Sequence, residues 1–291
     1  MPELPEVETM RRGLLATVAS KRVEGVDVLW ERSFDAPQSV IDRVVVDHRV
    51  VGIGRRGKVL IIDLDDGFHL LLHPRMTGQL VVTEHGSTRF AGGHPSRSML
   101  APMPNVTTRV IIRLSGDTVL FVNDQRKFAR ITLVDTPALL ADPFLKRLGP
   151  EPLSEAFNVA DFREQLRRHA RAPIKAVILD QTTVAGVGNI YADESLHLAR
   201  IHPQRPAGTL SAATVTRLHH AIRAVLSAAV EDGGTSFEDY ANVFRGRGSH
   251  LTGARLFRRQ AQPCLVCGTC IRRTRVAGRG TNHCPRCQRS Q

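Results

Sequence analysis

The chain has 291 residues and 42% hydrophobic content, enough to bury cores in two domains with a small appendage. It carries 40 Lys+Arg against 28 Asp+Glu, a formal net charge of +12, which points to a polyanionic partner because neutralising phosphates releases condensed counterions. No apolar run is long enough for a membrane helix, the first residues lack a signal-peptide pattern, and five cysteines, four in paired spacing, fit a reduced compartment better than a disulfide scaffold.

In chain order, MPELPEVETM places two prolines and two acids ahead of a helical pattern, Val7, Met10, Leu14 and Val18. Short β-branched stretches follow: VDVLW, RVVVDHRVVGI, KVLIIDL, FHLLLH, GQLVVT, TRVIIRL, TVLFVND and ARITLVD. They predict a β-sandwich or barrel to about Val134, with Thr83–Asn105 as a long loop or insertion. After Pro137 the texture turns helical: ALLADPFLKRL, VADFREQLRRHA, IKAVILDQ, YADESLHLA and TVTRLHHAIRAVLSAAVE, separated by Pro and Gly. The polar run Gly233–Gly253 predicts a mobile loop. The expected class is α+β and multidomain, with a β domain over 1–135, a helical domain over 136–250 and a cysteine module over 251–291.

That module carries the strongest signal. Cys264-x2-Cys267, sixteen intervening residues, and Cys284-x2-Cys287 form two knuckles that complete a tetrahedral four-thiolate zinc site with no position left for catalysis. One structural zinc ion is expected, with Cys270 an unliganded bystander. Arg272, Arg273, Arg275, Arg279 and Arg286 crowd this finger and suit phosphate. Gly52-x4-Gly57-Lys58 imitates a nucleotide-binding loop, but Val59 replaces the magnesium-binding hydroxyl and a strand follows instead of a helix. GRRGK therefore predicts a basic hairpin turn presenting Lys58. Gly186 and Gly188 in DQTTVAGVGNIYADE lie between helical stretches, as a phosphate-binding helix N-terminus or as an ordinary helix–helix turn. Met76, Arg126 and Phe128 fall at strand ends, where they are either core and rim residues or wedges for a base stack.

Together PELPEVET, RRGK, MTG, DQRKF, LGPEPL, GVGNIYADES and the paired CxxC finger with GRGT resemble the bacterial formamidopyrimidine-DNA glycosylases, in family order over essentially the whole chain. The resemblance implies an N-terminal β-sandwich, a helix–two-turn–helix domain and a zinc finger acting on double-stranded damaged DNA. It also implies a cytoplasmic, nucleoid-associated enzyme that excises oxidised purines and nicks the strand by β,δ-elimination. Carried over by position, Pro2 is the nucleophile once Met1 is removed, Glu3 its acid/base partner and Lys58 a catalytic-site lysine. Met76, Arg126 and Phe128 fill the gap left by the extruded base, Asn189 and Arg279 bind phosphate, and Glu6 and Glu194 support the active site. A monomer is the default, since each module already has a role on DNA.

The chemistry agrees with that assignment. A terminal amine titrates about two units below lysine, and a secondary amine attacking the sugar C1′ yields a cationic Schiff base that eases elimination. A neighbouring carboxylate moves protons at the opening sugar, and reaching that carbon requires flipping the nucleotide. Departures from the family pattern fall elsewhere. HLGMSG is HPRMTG here, DPRRFG is DQRKFA, and Ser249–Arg259 replaces the usual covering segment over the flipped base. Two alternatives follow: the same chemistry on oxidised pyrimidines, as in the endonuclease VIII branch, or a non-catalytic DNA-binding zinc protein on this scaffold.

Overall fold

Leu4–Thr17 forms helix α1 in the computed structural model, which describes residues 1–99, 101–234 and 254–290. The chain divides into two units near residue 146. In the first, α1 is followed by β1 (Val23–Val28), α2 (Gln38–Val44), β2 (Val50–Arg56), β3 (Val59–Leu64), β4 (Phe68–His73), β5 (Gly78–Glu84), β6 (Ser87–Gly93), β7 (Thr108–Leu114), β8 (Thr118–Asp124) and β9 (Arg130–Asp135). Two short helices, α3 (Thr136–Ala141) and α4 (Pro143–Arg147), come next.

The strands make two antiparallel sheets, ordered β1-β7-β8-β5-β6 and β2-β3-β4-β9. Their alternating apolar residues, among them Val26, Ile62, Leu70, Leu72, Leu80, Val82, Val110 and Val122, share one buried core, as expected of a sandwich. Val7, Met10 and Leu14 of α1 join that core, at the i, i+3, i+7 spacing that keeps them on one helix face. The helix packs against β2 and β6, the terminal strand of each sheet. Gly13 makes this approach possible: a Cβ there would overlap the Phe90 ring on β6.

Two expectations are corrected. Thr83–Asn105 is not one long loop, because β5 and β6 pair as a hairpin through His85–Gly86, both at positive φ, as a two-residue hairpin turn requires. Only the segment from His94 onward leaves the sheet. Its Ser96 and Ser98 hydroxyls bond to the Gln79 amide and Asn105 Nδ2 donates to the Ser98 carbonyl, while Met99 packs with Val81 and Phe121. Likewise, the first half of RVVVDHRVVGI ends α2 and turns, because Ile41 and Val45, four residues apart, both bury in the core. The Gly52–Lys58 stretch is the β2–β3 hairpin, with Arg56 paired to Val59 and Gly57 at φ 55.

The second unit holds α5 (Val159–Arg168), α6 (Ile174–Leu179), α7 (Asn189–Leu198) and α8 (Ala212–Glu231), then the finger hairpin β10 (Arg272–Val276) and β11 (Arg279–His283). Asn158 and Ser211 cap α5 and α8 through side-chain oxygens. Tyr191, Leu196, Leu218, Ile222 and Leu226 lie at its core. Leu256 and Ile271 pack with the cysteines in a small separate cluster. The expected loop Gly233–Gly253 lies outside the described residues from 235 onward, as does the first part of Ser249–Arg259. Among the described residues no helix is long and apolar enough to cross a membrane.

Candidate active site and DNA-contact residues

The amino terminus is built as a helix cap. Glu3 is the N-cap residue of α1, with Pro5 in the first turn, and the Glu6 carboxylate accepts the Glu3 backbone N–H at 2.8 Å in a capping box. Glu3 and Glu6 are both buried. One turn on, Glu8 takes bonds from Arg11 and from Arg55 of β2. Burial works against its charge, but those bonds outweigh it and hold the carboxyl below its ordinary range. Arg55 therefore braces α1 from within the hairpin. The terminal amine, on Met1, is pulled below its usual value by burial. Glu3 and Glu6 oppose that shift, and Lys58 at the hairpin tip reinforces it. Glu3, Glu6 and Lys58 thus all act on the Met1 amine.

His73, at the end of β4, extends this neighbourhood. Burial lowers its pKa to about 3, and Arg75 and Lys58 push the same way. The Arg75 backbone N–H donates to Nδ1 at 3.1 Å, so the neutral ring carries its proton on Nε2.

Met76, Arg126 and Phe128 come together on two adjoining turns. The Arg126 guanidinium lies 3.1 Å from the Met76 sulfur and 4.8 Å from the Phe128 ring centroid. Met76 and Phe128 are exposed at 39% and 49%, with the Arg126 guanidinium in contact with both. The turns are fixed from beneath by Asp124, itself fully buried. One carboxylate oxygen accepts the Thr77 hydroxyl and the Arg126 N–H; the other accepts the N–H groups of Phe128 and Ala129. Gly78 closes the first turn, N–H to Pro74 carbonyl, and a Cβ there would collide with the Pro74 backbone.

In the second unit Asn189 opens α7 directly after Gly188, and Gly186 takes a positive φ of 83°. Asn189 Nδ2 donates to the Gly280 carbonyl at 3.0 Å, next to exposed Arg279 at the start of β11. Lys175 Nζ reaches the same carbonyl at 3.2 Å and the Thr281 hydroxyl at 2.8 Å. Asp193 accepts the Asn282 N–H. Glu194 takes the N–H groups of Arg255, Leu256 and Phe257 at 2.9 to 3.0 Å. Its support is therefore mechanical: it fastens the segment leading into the finger.

The four cysteine sulfurs of Cys264, Cys267, Cys284 and Cys287 all lie within 4.8 Å of one another. Separations of 3.5 Å (Cys267–Cys284, Cys267–Cys287) and 3.9 Å (Cys264–Cys287) match the edge of about 3.8 Å that a tetrahedral zinc–thiolate site imposes. The donor set fits one structural zinc. Cys270 is exposed and outside the cluster.

Residues 1–131 match the family model for the formamidopyrimidine-DNA glycosylase N-terminal domain, 148–240 that for its H2TH domain, and 261–289 that for the zinc finger found in FPG and IleRS. A formamidopyrimidine-DNA glycosylase of Pelotomaculum thermopropionicum is 41% identical over 291 residues, covering 99% of each chain. The chain belongs to the formamidopyrimidine-DNA glycosylase family. A second glycosylase, from Chloroflexus aggregans, is 40% identical over 289 residues, 99% of this chain and 98% of its own. Among solved structures, a Lactococcus lactis FPG mutant in complex with Fapy-dG-containing DNA has a TM-score of 0.88 at 33% identity, covering 99% of this chain and 100% of that one. The wild-type Lactococcus lactis FPG in complex with DNA containing an oxidised pyrimidine has a TM-score of 0.86 at 32% identity, with the same coverage. As a family member the chain is a DNA glycosylase of base excision repair; AP lyase activity and formamidopyrimidine substrates are typical of the family.

Sequence reading missed Asp124, Thr77, His73, Lys175 and Asp193. Asp124 had a legible signal, since an aspartate at a strand end commonly accepts the N–H two residues on. Lys175 had none, because a lysine on a short helix reads as solvent-facing.

Proposed function

We propose that Pro2, freed by removal of Met1, is the nucleophile of a bifunctional glycosylase/lyase acting on oxidised purines in double-stranded DNA. The observation that carries this reading is the convergence of Glu3, Glu6 and Lys58 on the chain terminus, where removal of Met1 leaves the Pro2 nitrogen as the terminal amine. The Pro2 nitrogen attacks C1′ as the base departs, and Glu3 delivers a proton to the ring oxygen as the sugar opens. The resulting iminium acidifies C2′, so loss of that proton expels the 3′ phosphate, and a second elimination expels the 5′ phosphate. Lys58 offers positive charge to the departing phosphate, and Glu6 holds the Glu3 backbone in place.

Met76, Arg126 and Phe128 occupy the space left by the extruded base, offsetting lost stacking. Asn189 and Arg279 bind backbone phosphate, and Glu194 keeps the finger seated. The roles divide among 1–135, 136–250 and 251–291. The enzyme works as a monomer in the cytoplasm, associated with the nucleoid.

Processed protein is incubated with duplex DNA bearing one 8-oxoguanine or formamidopyrimidine and reduced with borohydride. A covalent protein–DNA adduct is expected, weakened in Pro2→Gly and absent when Met1 is retained. No adduct even with an abasic site would remove the lyase assignment. An adduct formed only with oxidised pyrimidines would favour the second reading, which the Lactococcus lactis complex with oxidised-pyrimidine DNA makes specific.

A further inference from the structure

We infer that Asp124 is the positioning residue that assembles the base-replacing wedge, and that it is needed for extruding a base but not for the amine chemistry. This rests on the wedge role proposed above for Met76, Arg126 and Phe128.

The three side chains come from two turns far apart in sequence, 74–78 and 124–129. Alone, each turn would sample many shapes, and exposed side chains on it would lose rotamer entropy on entering a base stack. Asp124 removes that freedom. Its carboxylate accepts the Thr77 hydroxyl from one turn and three backbone N–H groups from the other, Arg126 at 3.0 Å, Phe128 at 2.5 Å and Ala129 at 2.6 Å. The Arg126 N–H also reaches the Thr77 hydroxyl at 3.2 Å, so one small network closes over both turns.

The Asp124 backbone is held as firmly. Its N–H donates to the Thr107 carbonyl at 2.8 Å, and its carbonyl accepts Arg109 Nε at 2.8 Å. Lys127 takes a left-handed φ of 59° and lies 3.8 Å from the Trp30 ring centroid. That reversal lets Arg126 and Phe128 emerge on the same side, with the guanidinium over the ring.

Only a carboxylate suits the position. Both oxygens face backbone N–H groups, so an asparagine in either orientation sets its own N–H2 against at least one donor that cannot turn away. Leaving buried donors unsatisfied costs enough to shift the turns. None of these atoms belongs to the amino-terminal group that does the chemistry.

The test compares two substrates in Asp124→Asn and in Thr77→Val, which removes only the hydroxyl between the turns. The first substrate is duplex DNA with one oxidised purine beside a fluorescent purine analogue that brightens on unstacking. The second is single-stranded DNA with a preformed abasic site, where no base has to leave a stack. Asp124→Asn is expected to lose about ten- to a hundredfold in duplex excision and most of the brightening, and Thr77→Val less of both. Borohydride trapping on the abasic strand should stay within about twofold of wild type, since each hydrogen bond lost lies outside the reacting group.

Equal losses on both substrates would reduce Asp124 to a folding role, and unchanged excision and brightening would remove it altogether. If Asp124→Asn does not fold, Thr77→Val decides the matter on the same readouts. Failure of the wild type to trap an abasic site would overturn the Pro2 assignment alone, since the brightening reports extrusion independently.

Discussion

Lys175 is fully buried, and its ammonium lies 2.6 Å from the Asp193 carboxylate. Burial pushes the Asp193 pKa up to about 6, against the pull of Lys175 and the Asn282 N–H. The two partners are therefore not equivalent. A lone Asp193 can neutralise itself near physiological pH, whereas a lone Lys175 must be desolvated as a cation or shed its proton at a larger cost. Asp193→Ala should destabilise the second unit by about 3–5 kcal/mol, and Lys175→Met by clearly less at pH 6 and below. Urea unfolding of both variants at pH 6 and pH 8 checks this; equal losses at both pH values would contradict the asymmetry.

Glu3→Gln keeps an oxygen for the helix cap but cannot move a proton. Excision of an intact damaged base should fall by about 10²- to 10⁴-fold. Trapping at a preformed abasic site should fall far less, because its sugar already exists in part as an open aldehyde. Single-turnover assays on the two substrates, with the melting temperature as control, separate the steps.

His73 sets a pH dependence in the first unit. Its folded pKa of about 3 lies below the ordinary 6.5, so the unfolded chain binds a proton that the folded chain refuses. The stability it contributes is complete above pH 6.5 and is lost as pH falls toward 3. Relative to His73→Gln, wild type should lose about 1–2 kcal/mol between pH 7 and pH 5. Denaturant titrations at each pH measure the difference; a flat difference would mean the folded ring takes up its proton as readily as the unfolded one.

Removing the metal should unfold more than the finger. Cys264 and Cys284 are buried beside Leu256 and Ile271, and zinc binding at such sites is folding free energy. A chelator, or Cys284→Ser, should lower the melting temperature of the second unit and weaken DNA binding, with one zinc per chain in the untreated protein. An unchanged melting temperature after verified zinc loss would rule out a structural ion.

Periodicity made most elements legible. Val7, Met10 and Leu14 announced α1, alternating apolar residues announced β3, β7 and β8, and paired cysteines announced the metal cluster. It failed where two patterns share the same residues: Val44 and Val45 are β-branched, yet they end a helix because tertiary burial of Ile41 and Val45 overrides propensity. It failed again at His85–Gly86, hidden inside a polar run. At the candidate site, residue identity pointed to groups presented outward, such as Lys58, Met76 and Phe128. Of the groups beneath them, Asp124 left a local trace, since its backbone partners Arg126, Phe128 and Ala129 follow within five residues, but its tie to Thr77 did not; Lys175 was illegible because Asp193, Gly280 and Thr281 are all distant in sequence.

Helix α7 gives the finger its bearing. Asn189, Asp193 and His197, each four residues apart and so on one helix face, meet the Gly280 carbonyl, the Asn282 N–H and the Cys264 sulfur, while Glu194 secures residues 255–257. Gln288 reaches back to the Ile201 carbonyl just past the same helix. Grafted alone onto another host, the cysteine module would bring its metal and its arginines but no fixed orientation for Arg279. The smallest transplantable part is the helix and the finger together.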